Sequence, residues 1–140
     1  MTFTIFADGG SRGNPGPAGS GAIVRDENGK MIAEVSEFLG NTTNNVAEYT
    51  GILRALEELE AYLGAKAGEA SVVVKMDSML VVKQMNGEYK IKHPNLVPLA
   101  SRVKELTKAF KSVSFGHVYR EHNKEADRLA NLAMDKGMRR

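Results

Sequence analysis

The 140-residue chain contains no cysteine and no tryptophan, and only 6% of its residues are aromatic. Without cysteine there can be no disulfide, no thiolate metal site and no thiol nucleophile, so any metal must be held by oxygen or imidazole ligands. This composition fits a reducing compartment, and the chain is expected to be cytoplasmic. Long apolar runs are missing as well. Met1 to Ala7 is too short for a signal-peptide core and lacks a basic lead, and nothing later approaches membrane-spanning length. An excess of one charge is also lacking, since the formal net is +2. The distribution is less even: residues 81–111 hold seven bases against Glu88 and Glu105, a net of +5 that leaves −3 for the remainder. A local basic face on a nearly neutral protein suits a polyanion such as nucleic acid better than a membrane, although lysine-rich faces are often merely solvated. With 42% hydrophobic and 26% charged residues, the chain is expected to form one globular domain, residues 1–140, with a core that folds unaided. No exposed apolar stripe argues against a monomer.

Glycine is what the chain has in quantity. Phe3, Ile5 and Ala7 alternate with Thr2, Thr4, Phe6 and Asp8, which predicts a strand ending at Asp8 on a sheet edge. Asp8-Gly-Gly-Ser-Arg-Gly-Asn-Pro-Gly-Pro-Ala-Gly19 then reads either as a loop that brings backbone against a ligand or as a long hairpin connection. No Gly-Lys-Ser/Thr follows these glycines, which excludes a nucleotide P-loop. Gly19 to Arg25 and Met31 to Phe38 are apolar-rich segments joined by Asn28-Gly29, a strong hairpin signal. Tyr49, Ile52, Leu53, Leu56, Leu59 and Leu63 recur at helical spacing over residues 46–63, and Gly64 ends the pattern. Val72 to Met76 reads as a buried strand, and Ser78 to Met85 as a short helix stopped by Asn86-Gly87. Pro94 is expected to open a helix running towards Phe110. Val113, Phe115, His117 and Tyr119 alternate as a last strand, and Lys124 to Lys136 forms an amphipathic helix capped by Asn123. Three strands followed by strand–helix–strand crossovers predict a mixed sheet, antiparallel first and parallel afterwards, flanked by helices. Ligands gather outside the carboxyl ends of the parallel strands in such sheets.

Four carboxylates occupy suggestive places. Asp77 directly follows the buried strand, and can serve either as the N-cap of the next helix or as a ligand at the strand end. Glu48 follows Asn45 by three residues, the spacing of a capping box, yet it shares a face with Ile52, Ala55 and Leu59 that should turn towards the sheet. An unpaired charge buried there costs on the order of several kcal/mol, so it needs a partner. Asp127 stands one turn into the last helix, where dipole compensation alone can explain it. Capping does not explain why Asp8, Glu48, Asp77 and Asp127 can converge on one sheet edge. Four oxygen donors without cysteine describe a hard-cation site, Mg²⁺ first and Mn²⁺ tolerated.

Asp8 to Gly19, Thr42-Thr43-Asn44-Asn45-Val46-Ala47-Glu48, Met76-Asp77-Ser78 and Asn123-Lys124-Glu125-Ala126-Asp127-Arg128-Leu129-Ala130 resemble the four motif blocks of type 1 ribonuclease H, in that family's order and across essentially the whole chain. The resemblance implies an α/β ribonuclease H-like fold with a five-stranded mixed sheet. It also implies two Mg²⁺ ions, replaceable by Mn²⁺, held by Asp8, Glu48, Asp77 and Asp127. The reaction implied is hydrolysis of the RNA strand of an RNA–DNA hybrid, leaving 3′-hydroxyl and 5′-phosphate ends. Ser11, Gly13 and Asn14 would read RNA 2′-hydroxyls, and Asn44 and Asn45 would approach the DNA strand or the strand junction. Thr43 and Asn95 resemble parts of a DNA phosphate pocket.

The chain also departs from the family pattern. Many relatives carry arginine where this chain has Asn41 and Val46, which implies a weaker phosphate grip here. The stretch between Asp77 and Asn95 is too short for the tryptophan-bearing basic protrusion of some members, so a compact form is expected, with no hybrid-binding domain. Tyr89 with Lys83, Lys90 and Lys92 offers a reduced substitute, or a turn with solvated lysines. The family's mobile catalytic histidine has no clear counterpart. His122 could serve by exchanging protons near neutral pH, and Arg120 by electrostatics alone, whereas His117 reads as a strand residue and His93 as a turn residue. A binding module without cleavage gains nothing from clustered acids; a transposase or resolvase relative is disfavoured by the glycine loop and the Thr-Asn-Asn segment.

Overall fold

The computed structural model describes residues 1–139; Arg140, the last residue of the expected domain, lies outside them. Strands β1 (Thr2–Ser11), β2 (Gly16–Asp26) and β3 (Met31–Thr42) form an antiparallel meander. At its second turn Gly29 takes φ +81°, which only a residue without Cβ adopts freely, and Asp26 Oδ1 accepts the Asn28 and Lys30 N–H groups at 2.9 Å. Helix α1 (Asn44–Leu63) crosses to β4 (Ser71–Met76), which pairs parallel with β1. Helices α2 (Met79–Met85) and α3 (Val97–Thr107) lead to β5 (Ser112–His117), parallel to β4, and α4 (Lys124–Met138) follows. The sheet order is β3-β2-β1-β4-β5, the mixed five-stranded arrangement expected.

The two faces of the sheet meet different helices. A methyl group at Gly9 would strike the Ala47–Glu48 backbone of α1, whereas one at Gly10 would face the Met134 side chain of α4. Consecutive strand residues point to opposite faces, so α1 and α4 cover opposite sides. The main core lies on the α1 side. There Ile5, Val72 and Val74 meet Ile52, Leu56 and Leu59, each 0–1% exposed, with Val103 of α3 behind them. Burying each such side chain contributes about 1.5–3 kcal/mol.

Several boundaries differ from the sequence-based expectations. Strand β1 does not end at Asp8: it runs to Ser11, so two thirds of the glycine-rich stretch is ladder and only residues 12–15 form the connection. Nor is Asp8 on a sheet edge, because β1 is the central strand. Helix α1 begins at Asn44 with Thr43 as its cap, the hydroxyl accepting from Val46 N at 3.3 Å, so Glu48 is not half of a capping box on Asn45. Ser78 rather than Asp77 caps α2, its hydroxyl accepting from Val81 N at 3.3 Å. Helix α3 starts at Val97, not Pro94. Residues 94–96 form a turn whose Leu96 N–H donates to His93 O at 2.9 Å, and the proline in the helix's first turn is Pro98. Strand β5 stops at His117, leaving Tyr119 outside it. Asn123 precedes α4 without a side-chain capping bond: its Nδ2 donates to Ala7 O, and Oδ1, the atom that would cap, is buried without a hydrogen-bond partner.

Candidate active site

A cleft of about 470 Å³ opens where β1 outruns β4. The β1–β4 ladder ends at the pair Phe6–Lys75, whereas β1 continues against β2 as far as Ser11–Ala18. Asp8 therefore stands on a strand whose β4 side is open, and Asp77, the residue after β4, faces the same gap. Glu48 enters from the first turns of α1. One carboxylate oxygen from each of Asp8, Glu48 and Asp77 can be chosen so that all lie within 4.8 Å of one another. Asp127 lines the same cleft from α4, close enough for its charge to act on Asp8, while standing outside that tight trio.

The close approach of the elements depends on small residues. Besides Gly9, Gly51 of α1 brings that helix so near β1 that a Cβ would lie 2.9 Å from Asp8 O. On the other face, a methyl at Gly21 would overlap Ala126 O and stand 2.5 Å from Ala130 N, so α4 rests directly on β2. Buried hydrogen bonds complete the fit. Ser20 Oγ donates to Ala47 O at 2.6 Å, Tyr49 Oη to Gln84 Oε1 at 2.8 Å, and Asn123 Nδ2 to Ala7 O at 3.0 Å. The last bond links the residue before α4 to the residue before Asp8, from a side chain only 1% exposed.

Crowding the acids raises their affinity for protons. Burial first, and then the Asp77 charge, push Asp8 up to about 8, against the pull of the Gly9 N–H on its carboxylate at 2.9 Å. Burial pushes Glu48 up to about 7, although the Ser78 hydroxyl pulls the other way. Asp77 is raised as well, chiefly by burial, with Arg120 opposing the shift from 3.9 Å. Arg120 is 89% exposed and offers little compensation. Such a cluster of oxygen donors, short of protein cations and costly to ionise, fits hard divalent cations, which would supply the missing positive charge.

The other sequence-predicted residues divide into three groups. Ser11, Asn44 and Asn45 line the cleft, and Asn44 Oδ1 accepts from Ser11 N at 2.7 Å and Ser11 Oγ at 3.1 Å. Gly13 (φ +93°) and Asn14 sit at the tip of the β1–β2 connection beside it, with Asn14 Oδ1 accepting from Asn44 N at 3.2 Å. Thr43 caps α1 and is not among the cleft-lining residues. Of the two groups considered for a mobile proton carrier, Arg120 lines the cleft. His122 instead borders a separate small pocket with Phe6 and lies 3.7 Å from Glu121. Asn95 is exposed in the turn before α3, its N–H held by His93 Nδ1 at 3.1 Å. Tyr89 and Lys90 line a second groove, of about 480 Å³, with Lys92 and Lys104, and Lys83 Nζ sits 5.0 Å from the Tyr89 ring centre. Arg12 and Asn131 also line the cleft and were not singled out from the sequence. The signal was available: Arg12 is the one basic residue inside the glycine stretch, and Asn131 lies one turn beyond Asp127 on the same helix face.

A β3-β2-β1-β4-β5 mixed sheet between α1 and α4, with carboxylates gathered where β1 outruns β4, defines the ribonuclease H-like class of α/β proteins. The profile of the family described as "Reverse transcriptase-like" matches residues 6–133. The bifunctional protein Rv2228c of Mycobacterium tuberculosis is 46% identical over 136 residues, which cover 96% of this chain and 36% of that protein. The chain thus spans about a third of the length of the mycobacterial relatives it matches. Ribonuclease H of Dechloromonas aromatica is 32% identical over 151 residues, covering 96% of this chain and 94% of that one. Among solved structures, LC11-RNase H1 in complex with an RNA/DNA hybrid superposes with a TM-score of 0.91 at 44% identity, covering 97% of this chain and 99% of the other. The chain belongs to the ribonuclease H1 family.

Proposed function

We propose that the chain is a metal-dependent endoribonuclease that hydrolyses the RNA strand of RNA–DNA hybrids and leaves 3′-hydroxyl and 5′-phosphate ends. The observation that carries this reading is the convergence of Asp8, Glu48 and Asp77 within 4.8 Å, at a strand end that no pairing or capping role explains. Family membership and the hybrid-bound LC11-RNase H1 support the choice of substrate.

Asp8, Glu48, Asp77 and Asp127 would hold two Mg²⁺ ions, with Mn²⁺ able to replace them, and bound ions would supply an activated water and charge stabilisation at the leaving oxygen. The chain's own groups set the stage for that chemistry. Asp8, on the central strand, faces the other acids and would be one of the metal ligands. Ser11, Gly13 and Asn14 present hydroxyl, backbone and amide groups to the RNA minor groove, where a 2′-hydroxyl distinguishes RNA from DNA. Asn44 and Asn45 extend that surface to the DNA strand or strand junction, and Asn44 already orders the loop through Ser11 and Asn14. Thr43 and Asn95 would take DNA phosphates, and Tyr89 and Lys90 a more distant part of the duplex. In place of a mobile histidine, Arg120 at the cleft is the better situated group and can act only as a fixed charge; His122 would have to move to take part. On this reading residues 1–140 form a single catalytic domain of compact type, without a basic protrusion, acting as a monomer in the cytoplasm. Among the described residues no helix is long and apolar enough to cross a membrane.

One assay panel tests the reading: wild type and Asp77→Asn, each with hybrid, duplex RNA, single-stranded RNA and duplex DNA, in Mg²⁺, Mn²⁺ or EDTA. Wild type should cut only the RNA strand of the hybrid and only with metal. Asp77→Asn should lose about a thousandfold or more while still binding hybrid. Equal cleavage by both proteins in Mg²⁺, or nicking of duplex DNA, would overturn it.

A further inference from the structure

Asn131 lies one helical turn beyond Asp127 on α4, and its amide is engaged at both ends. Nδ2 donates to the Asp127 main-chain oxygen at 3.0 Å and reaches the Asp127 carboxylate at 3.4 Å. The amide oxygen accepts from Arg12 Nη2 at 3.3 Å, and the other terminal nitrogen of that guanidinium is paired with Asp135 at 2.7 Å. Arg12 belongs to the connection between β1 and β2, so this chain of contacts runs from the glycine loop through one amide to a cleft carboxylate.

We infer that Asn131 is a positioning residue that ties the glycine loop to the Asp127 carboxylate, through an amide whose orientation is set by Arg12. The two ends of an asparagine amide are nearly the same size and opposite in chemistry. With Nδ2 towards Asp127 the carboxylate receives a donor; with the amide reversed, an oxygen would face an oxygen. A guanidinium can only donate, so Arg12 holds the Asn131 oxygen on its own side and leaves the NH₂ for Asp127. Asp135 keeps Arg12 at that station. Asp127 needs such help more than the other acids. It is half-buried and outside the tight trio, whereas Asp8 and Glu48 are each only 8% exposed. Groups that orient metal-ligating carboxylates commonly matter by about 10–100-fold in affinity or activity. The inference rests on the metal-dependent nuclease reading for the role of Asp127.

The test compares wild type, Asn131→Ala, Arg12→Met and the double variant. Mn²⁺ binding to each substrate-free protein is followed by the EPR signal of free Mn²⁺, and steady-state cleavage of an RNA–DNA hybrid is measured in Mg²⁺. Asn131→Ala should weaken Mn²⁺ binding by about tenfold and lower kcat by about 10–100-fold, with KM for the hybrid changed by less than about threefold. Arg12→Met should weaken Mn²⁺ binding in the same direction by a smaller factor. The double variant should bind Mn²⁺ as Asn131→Ala does, because the arginine acts through the amide. Unchanged Mn²⁺ binding in Asn131→Ala, or losses that multiply in the double variant, would overturn the inference. Failure of wild type to cleave hybrid would count against the nuclease reading, while the Mn²⁺ comparison still decides whether the tie exists.

Discussion

Each of the three closest acids carries a proton affinity that its surroundings impose, and this has a consequence for stability. Asp8, up to about 8 from 3.8, and Glu48, up to about 7 from 4.5, bind protons more tightly in the folded protein than in the unfolded chain. Their contribution to stability is therefore fully present below the unfolded values near 4 and is lost progressively as pH rises from there to about 8, where the folded-state groups have ionised. In the absence of metal, the melting temperature of wild type should fall across that range relative to that of Asp8→Asn, which cannot ionise. The gap between the two proteins should be small near pH 4 and widen steadily to several degrees by pH 8; a gap that does not vary with pH would contradict the shift. Divalent cations compete with those protons, so the rise in melting temperature produced by Mg²⁺ should grow with pH over the same interval. Cleavage should rise through it as well.

Elements meet here at distances that leave no room for a side chain. Helix α4 lies on β2 at Gly21, where a methyl would overlap Ala126 O, and it carries Asp127 one residue further on. Gly21→Ala should therefore push the helix outwards, costing about 1–3 kcal/mol or more of stability. It should also weaken metal binding, because Asp127 moves with the helix. A methyl at Gly68, in the short 3-10 helix after α1, would meet nothing within 4 Å, and Gly68→Ala should be close to neutral. Urea denaturation of the two variants checks the contrast, and equal destabilisation would show that the α4–β2 approach is not as tight as described. Strand β1 makes the complementary contribution. By running past β4 it leaves one side of its ladder unpaired, and that gap is where the acids face one another.

Across the whole molecule, charge is separated between the acidic cleft and the basic segment at residues 81–111. The groove lined by Tyr89, Lys90, Lys92 and Lys104 lies at the far end of α2, whose beginning follows Asp77 and Ser78. On the proposed nuclease reading, a hybrid held at the acids would extend along α2 to those lysines. Each phosphate contact there adds about 0.9 to the slope of log affinity against log salt. In an Asp77→Asn background, which keeps the substrate intact, changing Lys90 and Lys92 together to alanine should reduce that slope by about 2. Affinity should fall roughly equally for hybrids of different sequence. An unchanged slope in a salt titration would leave those lysines as solvated surface.

The sequence by itself determined the strand and helix order, the Asn28-Gly29 hairpin, the hydrophobic faces and the four acidic positions, because periodicity, turn chemistry and residue type are local properties. It also left Asp77 and Glu48 readable as caps. Only the structure decided that Thr43 and Ser78 do the capping, since neighbouring polar side chains near a helix start are interchangeable until the first helical residue is fixed. The same holds for the glycines: a run of them signals freedom, but at Gly9 and Gly21 the cause is a helix from another part of the chain resting on the strand. The Arg12–Asn131–Asp127 contacts join residues up to 119 positions apart, and no local pattern encodes a partner at that separation. Convergence of the acids depends on strand register and helix depth, and those are set by packing.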